Sequence, residues 1–175
     1  MIDLQGVFLI EYTPPGGGRP RALAAIRNGP TLEGVNYLLD AAFRGRARPS
    51  QWYCGLISGS GYGSISENDT MSSHAGWTEF TNGGSPRKVW APASASGGLV
   101  GSTTNFTLAA VGDILGVFLT SESTGSAGLL YSTAIDVNGG ITVAPAGTYP
   151  GGIGYPPQVG GTISITYNLR LRPRS

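Results

Sequence analysis

The chain has 175 residues and a net charge of +1, and only 12% of its residues are charged, about half the globular norm of roughly 25%. Gly contributes 29 residues and Pro 12, whereas Cys and His occur once each. A balance this close to neutral excludes long-range steering of nucleic acid or of an acidic membrane. A lone cysteine excludes a disulfide-framed fold, and the length predicts a single domain.

The first thirty residues predict one strand and its return partner. Residues 5–12 are apolar enough for a strand, which ends at the turn-forming run of Pro and Gly over 13–18. Residues 21–27 are expected to return beside it as a hairpin. The remainder of this N-terminal segment is expected to be irregular.

A helix is predicted over residues 31–44. Thr31 is suited to cap the first N–H groups, Glu33 suits the positive end of the helix dipole, and Gly45 is a typical helix terminator. Apolar residues recur at steps of three and four, which predicts one face packed against an end or edge of the β structure. The residues of that predicted stripe are Leu32, Val35, Leu38, Leu39, Ala42 and Phe43.

The rest of the chain predicts short strands separated by Gly- and Pro-rich turns. The clearest is the last, where Ile163, Ile165, Tyr167, Leu169 and Leu171 alternate with polar residues and therefore share one face. Residues 97–104 are predicted to form a loop. The predicted strands are residues 52–58, 77–80, 87–90, 105–110, 114–120, 129–135, 141–144 and 162–172.

Short strands at this density predict a mainly β fold, a single-domain β-sandwich of jelly-roll type with one short α-helix near residues 31–44. The predicted domain covers residues 1–175. It includes the irregular N-terminal segment and a Gly/Pro-rich loop at 145–161.

Few residues could support catalysis or bind a metal. His74 is the single histidine, and its neighbours Asp69 and Glu79 lie in an extended segment where successive side chains point in different directions. One Cys and one His twenty residues apart do not form a zinc site. We therefore predict no enzyme activity, no cofactor and no metal, a structural role for His74, and a buried, inert Cys54.

Arg outnumbers Lys ten to one in this chain. The arginines suit either a solvated surface or contact with a partner protein, because arginine is favoured at protein interfaces. Because acids nearly cancel bases, nucleic acid is not expected as a partner, and neither is a membrane. The Pro- and Tyr-rich segment near residue 150 is more typical of an interface arm or a loop than of a ligand site. The candidate protein-contact residues are Arg19, Arg21, Tyr149, Tyr155, Arg170, Arg172 and Arg174.

Segments 34–40, 52–57 and 117–121, and above all Met71-Ser-Ser-His-Ala-Gly-Trp-Thr-Glu-Phe80, together resemble small virion proteins of tailed bacteriophages. The resemblance covers roughly residues 28–135. It implies a capsid decoration, or cement, protein: a β-sandwich on the capsid exterior that is made in the host cytoplasm. Such proteins assemble as homodimers or homotrimers and bridge subunits of the major capsid protein.

Two other functions stay open from the residues. The Trp and Tyr content and the Gly-rich loops would also suit a tail or fibre protein that binds a host surface glycan. An enzyme such as a depolymerase would have to depend on His74. Copy number in the virion distinguishes a decoration protein from a tail protein, because a decoration protein is present in hundreds of copies and a tail component in a few to tens.

Overall fold

The computed structural model describes residues 2–84, 87–149 and 155–173. Within these ranges the chain is mainly β, with nine strands and one helix, which confirms the predicted class. In chain order the elements are β1 (Ile2–Thr13), β2 (Arg21–Asn28), α1 (Leu32–Phe43), β3 (Trp52–Ser58), β4 (Arg87–Trp90), β5 (Leu99–Thr107), β6 (Gly112–Thr120), β7 (Leu130–Ile135), β8 (Ile141–Val143) and β9 (Thr162–Pro173).

The strands form two antiparallel sheets. The first has the order β2-β1-β9-β5, and the second has the order β4-β3-β6-β7, with β8 paired to β6. The first and last strands of the chain are neighbours, paired from Ile2↔Pro173 to Thr13↔Thr162. One cluster of buried side chains joins both sheets and includes Phe8, Leu56 and Val117, so the main core lies between them.

The N-terminal segment holds the two predicted strands, and the part of it that is irregular is smaller than expected. Strand β1 lies between β2 and β9, and both of its edges are hydrogen-bonded from Gly6 to Tyr12. Strand β2 covers residues 21–28 as its hairpin partner. Within residues 2–28 only the Pro- and Gly-rich turn of residues 14–20 lacks strand structure, and pairing with β9 extends β1 back to Ile2.

The predicted alternation of β9 is confirmed over most of its length. Ile163, Ile165 and Tyr167 are fully buried in the core, and Leu169 is half-buried. Leu171 is 51% exposed, because the strand continues beyond the core there. The backbone is still paired at this position, since the Leu171 N–H donates to the carbonyl of Gly98. Periodicity shows which residues share a face but not how far that face is covered.

The predicted loop at 97–104 is wrong in most of its length, because β5 covers Leu99–Thr107 and pairs with β9 throughout. The predicted strand at 105–110 contains only the end of β5. Gly97 and Gly98 both have positive φ and make the tight turn that starts the strand. The strand is rich in Gly, Ser and Thr, and its pairing with β9 overrides a weak local preference.

The outer face of the second sheet is covered by the chain between β3 and β4. Met71 and Trp77 from this segment are buried against Ile57, Phe118 and Leu130, which forms a second, smaller core. The predicted strand at 77–80 is reduced to one isolated bridge between Ile57 and Glu79. The corresponding outer face of the first sheet has no such cover within the described chain, and its Leu9 is exposed.

The helix is anchored on the edge strand β7. Thr31 is its N-cap, as predicted, and its side-chain oxygen accepts from the Gly34 N–H at 3.1 Å. The Leu130 N–H of β7 donates to Glu33 Oε2 at 2.8 Å, and the Thr31 N–H donates to the Tyr131 carbonyl at 2.9 Å. These bonds satisfy edge groups of the sheet that would otherwise be unpaired.

The buried face of the helix is only in part the predicted one. Leu38 of the predicted stripe packs against the main core. Gly34 and Tyr37 are the buried residues, whereas Leu32, Leu39 and Phe43 are exposed. The face that packs on the sheets is turned by roughly 100° from the predicted stripe, which is one residue of helical rotation. The cause is Gly34, which has no side chain and lets the helix backbone approach β7 closely.

Candidate contact surfaces and cavity

Three large apolar side chains on α1 are left uncovered by the fold. Leu32 is 51% exposed, Leu39 52% and Phe43 83%. Their spacing of seven and four residues places them on one side of the helix, and we call them the exposed helix stripe. Helical spacing predicts all three residues as part of a core-facing stripe, since periodicity cannot distinguish a stripe that packs internally from one left for a partner.

Arg21, Tyr149 and Tyr155, three of the seven predicted contact residues, come together at one end of the first sheet. The Arg21 guanidinium donates to the Tyr155 carbonyl and lies 5.4 Å from the centroid of the Tyr12 ring. The Tyr149 and Tyr155 rings stack with centroids 5.1 Å apart. The Gln158 side-chain amide donates to the Tyr149 carbonyl at 3.2 Å. We call these five residues the Arg–Tyr cluster.

Of the two predicted forms, an interface arm or a loop, the described part of the 145–161 segment is a loop that folds back on the molecule. The Gln158 backbone N–H donates to the Tyr12 hydroxyl at 3.2 Å. Ala144 and Gln158 form an isolated parallel β-bridge. Two polar atoms of the Arg–Tyr cluster, Arg21 Nε and Gln158 Oε1, are buried without a hydrogen-bond partner. Within the described ranges only Tyr155 of this cluster is exposed enough to offer a contact surface.

The remaining predicted contact residues do not join the Arg–Tyr cluster. Arg19 is exposed in the turn before β2. Arg170 is exposed at the far end of β9, opposite Gln5 and Leu99 and about 27 Å along the strand from Thr162. The backbone of Arg172 pairs with Asp3, its side chain lies outside the described part, and Arg174 lies outside the described residues altogether.

The segment around His74 is arranged to cover the second sheet. The His74 ring stacks on Trp77 at 4.0 Å, and its Nδ1 lies 3.1 Å from the Trp77 carbonyl. The Trp77 indole donates to Asp69 Oδ2 at 2.9 Å. Asp69 is therefore hydrogen-bonded to the Trp77 indole, and the His74 ring packs on the same indole. Within the described residues, the contacts of Asp69, His74 and Trp77 form no nucleophile–base–carboxylate relay of the kind that acyl transfer requires.

Arg87 forms a buried ion pair beneath the same segment. Its side chain is only 1% exposed, and its guanidinium forms a bidentate contact with the Glu79 carboxylate. Nε donates to Oε2 at 3.1 Å, and Nη2 donates to Oε1. The guanidinium also donates to the carbonyls of Glu122 and Gly125 at 2.9 Å and 2.6 Å. It lies 5.5 Å from the Phe118 ring centroid. No pattern along the chain predicts that Arg87 pairs with Glu79.

An apolar cavity of about 370 Å³ opens at the end of the sandwich between β4 and β5. Its deepest walls are the aromatic residues Tyr37, Trp90 and Tyr131, all buried in the main core, together with the half-buried Trp52. Arg48 lies at its exposed mouth. Core packing was predicted for the tryptophans, and no pattern in the sequence predicted the cavity.

Cys54 is buried in the main core, as predicted, and burial raises the pKa of its thiol to about 12. A thiol that is both neutral at pH 8 and covered cannot present the reactive thiolate. We expect no reaction of the native protein with an aromatic disulfide reagent at pH 8, followed by release of one equivalent of thiol when guanidinium is added. Rapid labelling without denaturant would contradict the buried placement.

The described residues hold no cluster of three or more His, Cys, Asp or Glu side chains able to bind a metal. No helix in the same residues is long and apolar enough to cross a membrane. Comparison with protein-family models, curated proteins and solved structures finds no match to this chain. The resemblance to phage virion proteins therefore stays a prediction.

Proposed function

We propose that this chain is a structural virion protein that decorates and stabilises a phage capsid by bridging subunits of the major capsid protein. The observation that carries the proposal is the exposed helix stripe, where Leu32, Leu39 and Phe43 are held outward on an anchored helix. Apolar groups grouped on one face are typical of a surface that another protein covers. The open polar face of the first sheet is a second flat surface available for contact.

The proposed mechanism is mechanical. A protein that binds the assembled capsid more tightly than it binds separated major capsid subunits raises the free energy needed to separate those subunits, by mass action. Three apolar side chains would contribute at most about 1.5–3 kcal/mol each when fully buried. A stable interface needs about 800 Å² per partner, so the exposed helix stripe requires help from the sheet face or the Arg–Tyr cluster.

The further details of this proposal come from the resemblance. The chain would act as a homodimer or homotrimer on the capsid exterior after synthesis in the host cytoplasm. The finer assignment of the two-sheet body to a jelly roll belongs to the proposal as well. The neighbouring first and last strands support it, and an experimentally traced connectivity would test it.

The glycan-binding alternative has less support from the positions of the aromatic residues. A stacking platform needs an exposed ring face, but Trp77 and Trp90 are buried and Trp52 is half-buried in the cavity wall. The enzyme alternative is weaker still, because His74 is packed on Trp77.

A particle-binding experiment tests the proposed function. Particles lacking this protein should release DNA at a lower temperature, and added protein should restore the release temperature. Phe43→Ser should weaken binding to such particles by roughly 10- to 150-fold, because it removes an apolar contact. Val111→Ser, a matched change of another exposed apolar residue in the turn between β5 and β6, should bind like the parent.

Two outcomes would count against cementing. One is unchanged DNA release from particles that lack the protein. The other is a virion copy number of a few to tens, which would favour the tail alternative and a glycan array as the next measurement.

A further inference from the structure

The aromatic cavity has the size and lining of a small-molecule site. At about 370 Å³ it falls within the range of roughly 300–1,000 Å³ that is typical of ligand pockets. Apart from Arg48 and Ser94, its lining side chains are aromatic or aliphatic. The loop joining β4 to β5 contributes Pro92, Ala93, Ser94 and Ala95 to the lining, and none of these side chains is large.

The polar groups of the cavity favour an anion. The Arg48 guanidinium at the mouth forms no ion pair with any described residue, and no acidic side chain lines the walls. The hydroxyl of the lining residue Tyr131 is buried without a hydrogen-bond partner. Buried polar groups without a partner are rare, and each calls for an explanation such as a missing ligand.

The protonation of Tyr131 agrees with an anionic ligand. Burial raises the pKa of its hydroxyl far above the ordinary value, with smaller contributions from Tyr167 and Tyr37. The hydroxyl therefore keeps its proton at neutral pH and can donate to an acceptor oxygen. The Trp90 indole N–H is already committed to the Ser102 carbonyl at 3.2 Å, so it does not compete for that acceptor.

We propose that this cavity binds a small amphipathic carboxylate, whose apolar body contacts the walls formed by Tyr37, Trp52 and Trp90 and whose anionic group is attracted by Arg48 and accepts from the Tyr131 hydroxyl. The apolar body would gain burial against rings that are already ordered. The carboxylate would supply the negative charge that the lining lacks. The proposal of a ligand in this cavity is independent of the proposed capsid role.

Other ligand classes fit the lining less well. A sugar carries hydroxyl groups around its ring, and burying them against these apolar walls would cost hydrogen bonds that the cavity cannot return. A cation would be attracted by the aromatic faces but repelled by Arg48. A neutral apolar molecule would leave the buried Tyr131 hydroxyl without an acceptor and would gain nothing from the charge of Arg48.

The three tryptophans provide a test with an internal control. Trp52 and Trp90 line the cavity, whereas Trp77 lies in the second core on the other face of the second sheet. Titration of the full chain with 3-phenylpropionate, followed by ¹H–¹⁵N NMR, should shift the indole signals of Trp52 and Trp90. The Trp77 indole signal should not move.

Matched ligands and variants isolate the charge. We expect 3-phenylpropan-1-ol, which has the same apolar body without the charge, to bind roughly tenfold more weakly than the acid. Arg48→Gln should abolish that preference, whereas Arg44→Gln, a change at an exposed arginine that does not line the cavity, should retain it. Tyr131→Phe should weaken binding of the acid several-fold while leaving the indole signals dispersed.

Several outcomes would overturn the proposal. They are unmoved Trp52 and Trp90 signals at millimolar acid, equal affinities for acid and alcohol, and an unchanged acid preference in Arg48→Gln.

Discussion

Arg87→Met should destabilise the protein by about 3–5 kcal/mol, because it leaves the Glu79 carboxylate without its cation beneath the His74 segment. It also removes the donors to the Glu122 and Gly125 carbonyls. A loss of this size is a large fraction of the stability of an ordinary domain. In a thermal melt the midpoint should fall by roughly 6–20 °C.

Two further variants separate the buried charge from arginine loss in general. Arg44→Met removes an exposed arginine, whose side chain lies 3.6 Å from Asp40, and should cost less than about 1 kcal/mol. Adding Glu79→Gln to Arg87→Met should recover part of the loss, since no unpaired carboxylate then remains. Equal melts for Arg87→Met and Arg44→Met would show that the pair contributes nothing beyond a surface contact.

Gly34→Ala should also destabilise the protein, although alanine is the better helix former by about 1 kcal/mol. A Cβ at this position would lie 2.2 Å from the Tyr131 carbonyl oxygen, which is backbone of β7 and cannot turn away. The helix would have to move off the sheet, and such overpacking typically costs about 1–3 kcal/mol. Urea unfolding of the variant should therefore show a lower midpoint.

Gly29→Ala is the matched control for this prediction. A Cβ at Gly29 meets nothing within 4 Å, so the variant should stay within about 0.5 kcal/mol of the parent. If Gly34→Ala instead raised the midpoint, helix propensity would outweigh the contact, and the helix would not be docked as closely as described.

The same glycine links the fold to the proposed function. Because Gly34 determines which face of α1 meets β7, it also determines that Leu32, Leu39 and Phe43 point outward. We therefore expect Gly34→Ala to weaken particle binding even where the protein stays folded. The contact surface would be displaced rather than removed.

Local patterns in the sequence determined most of the secondary structure of this protein. The period of two identified β9, and the capping chemistry of Thr31 and the break at Gly45 bounded the helix at nearly its observed ends. These features succeed because hydrogen bonds and steric limits within a few residues decide them. The buried, isolated Cys54 was also predictable, since it lies inside an apolar run.

Only the tertiary structure decided which apolar surfaces are covered and which charges meet. The rotation of α1 depends on a close approach at Gly34, β5 exists because β9 offers it a pairing edge, and Arg87 meets Glu79 across a folded segment. Each of these three features depends on residues that meet only when the chain packs in three dimensions. Periodicity along the chain does not encode such packing. The exposed helix stripe and the aromatic cavity follow from that packing, and so the surfaces proposed for function are the features that the sequence left open.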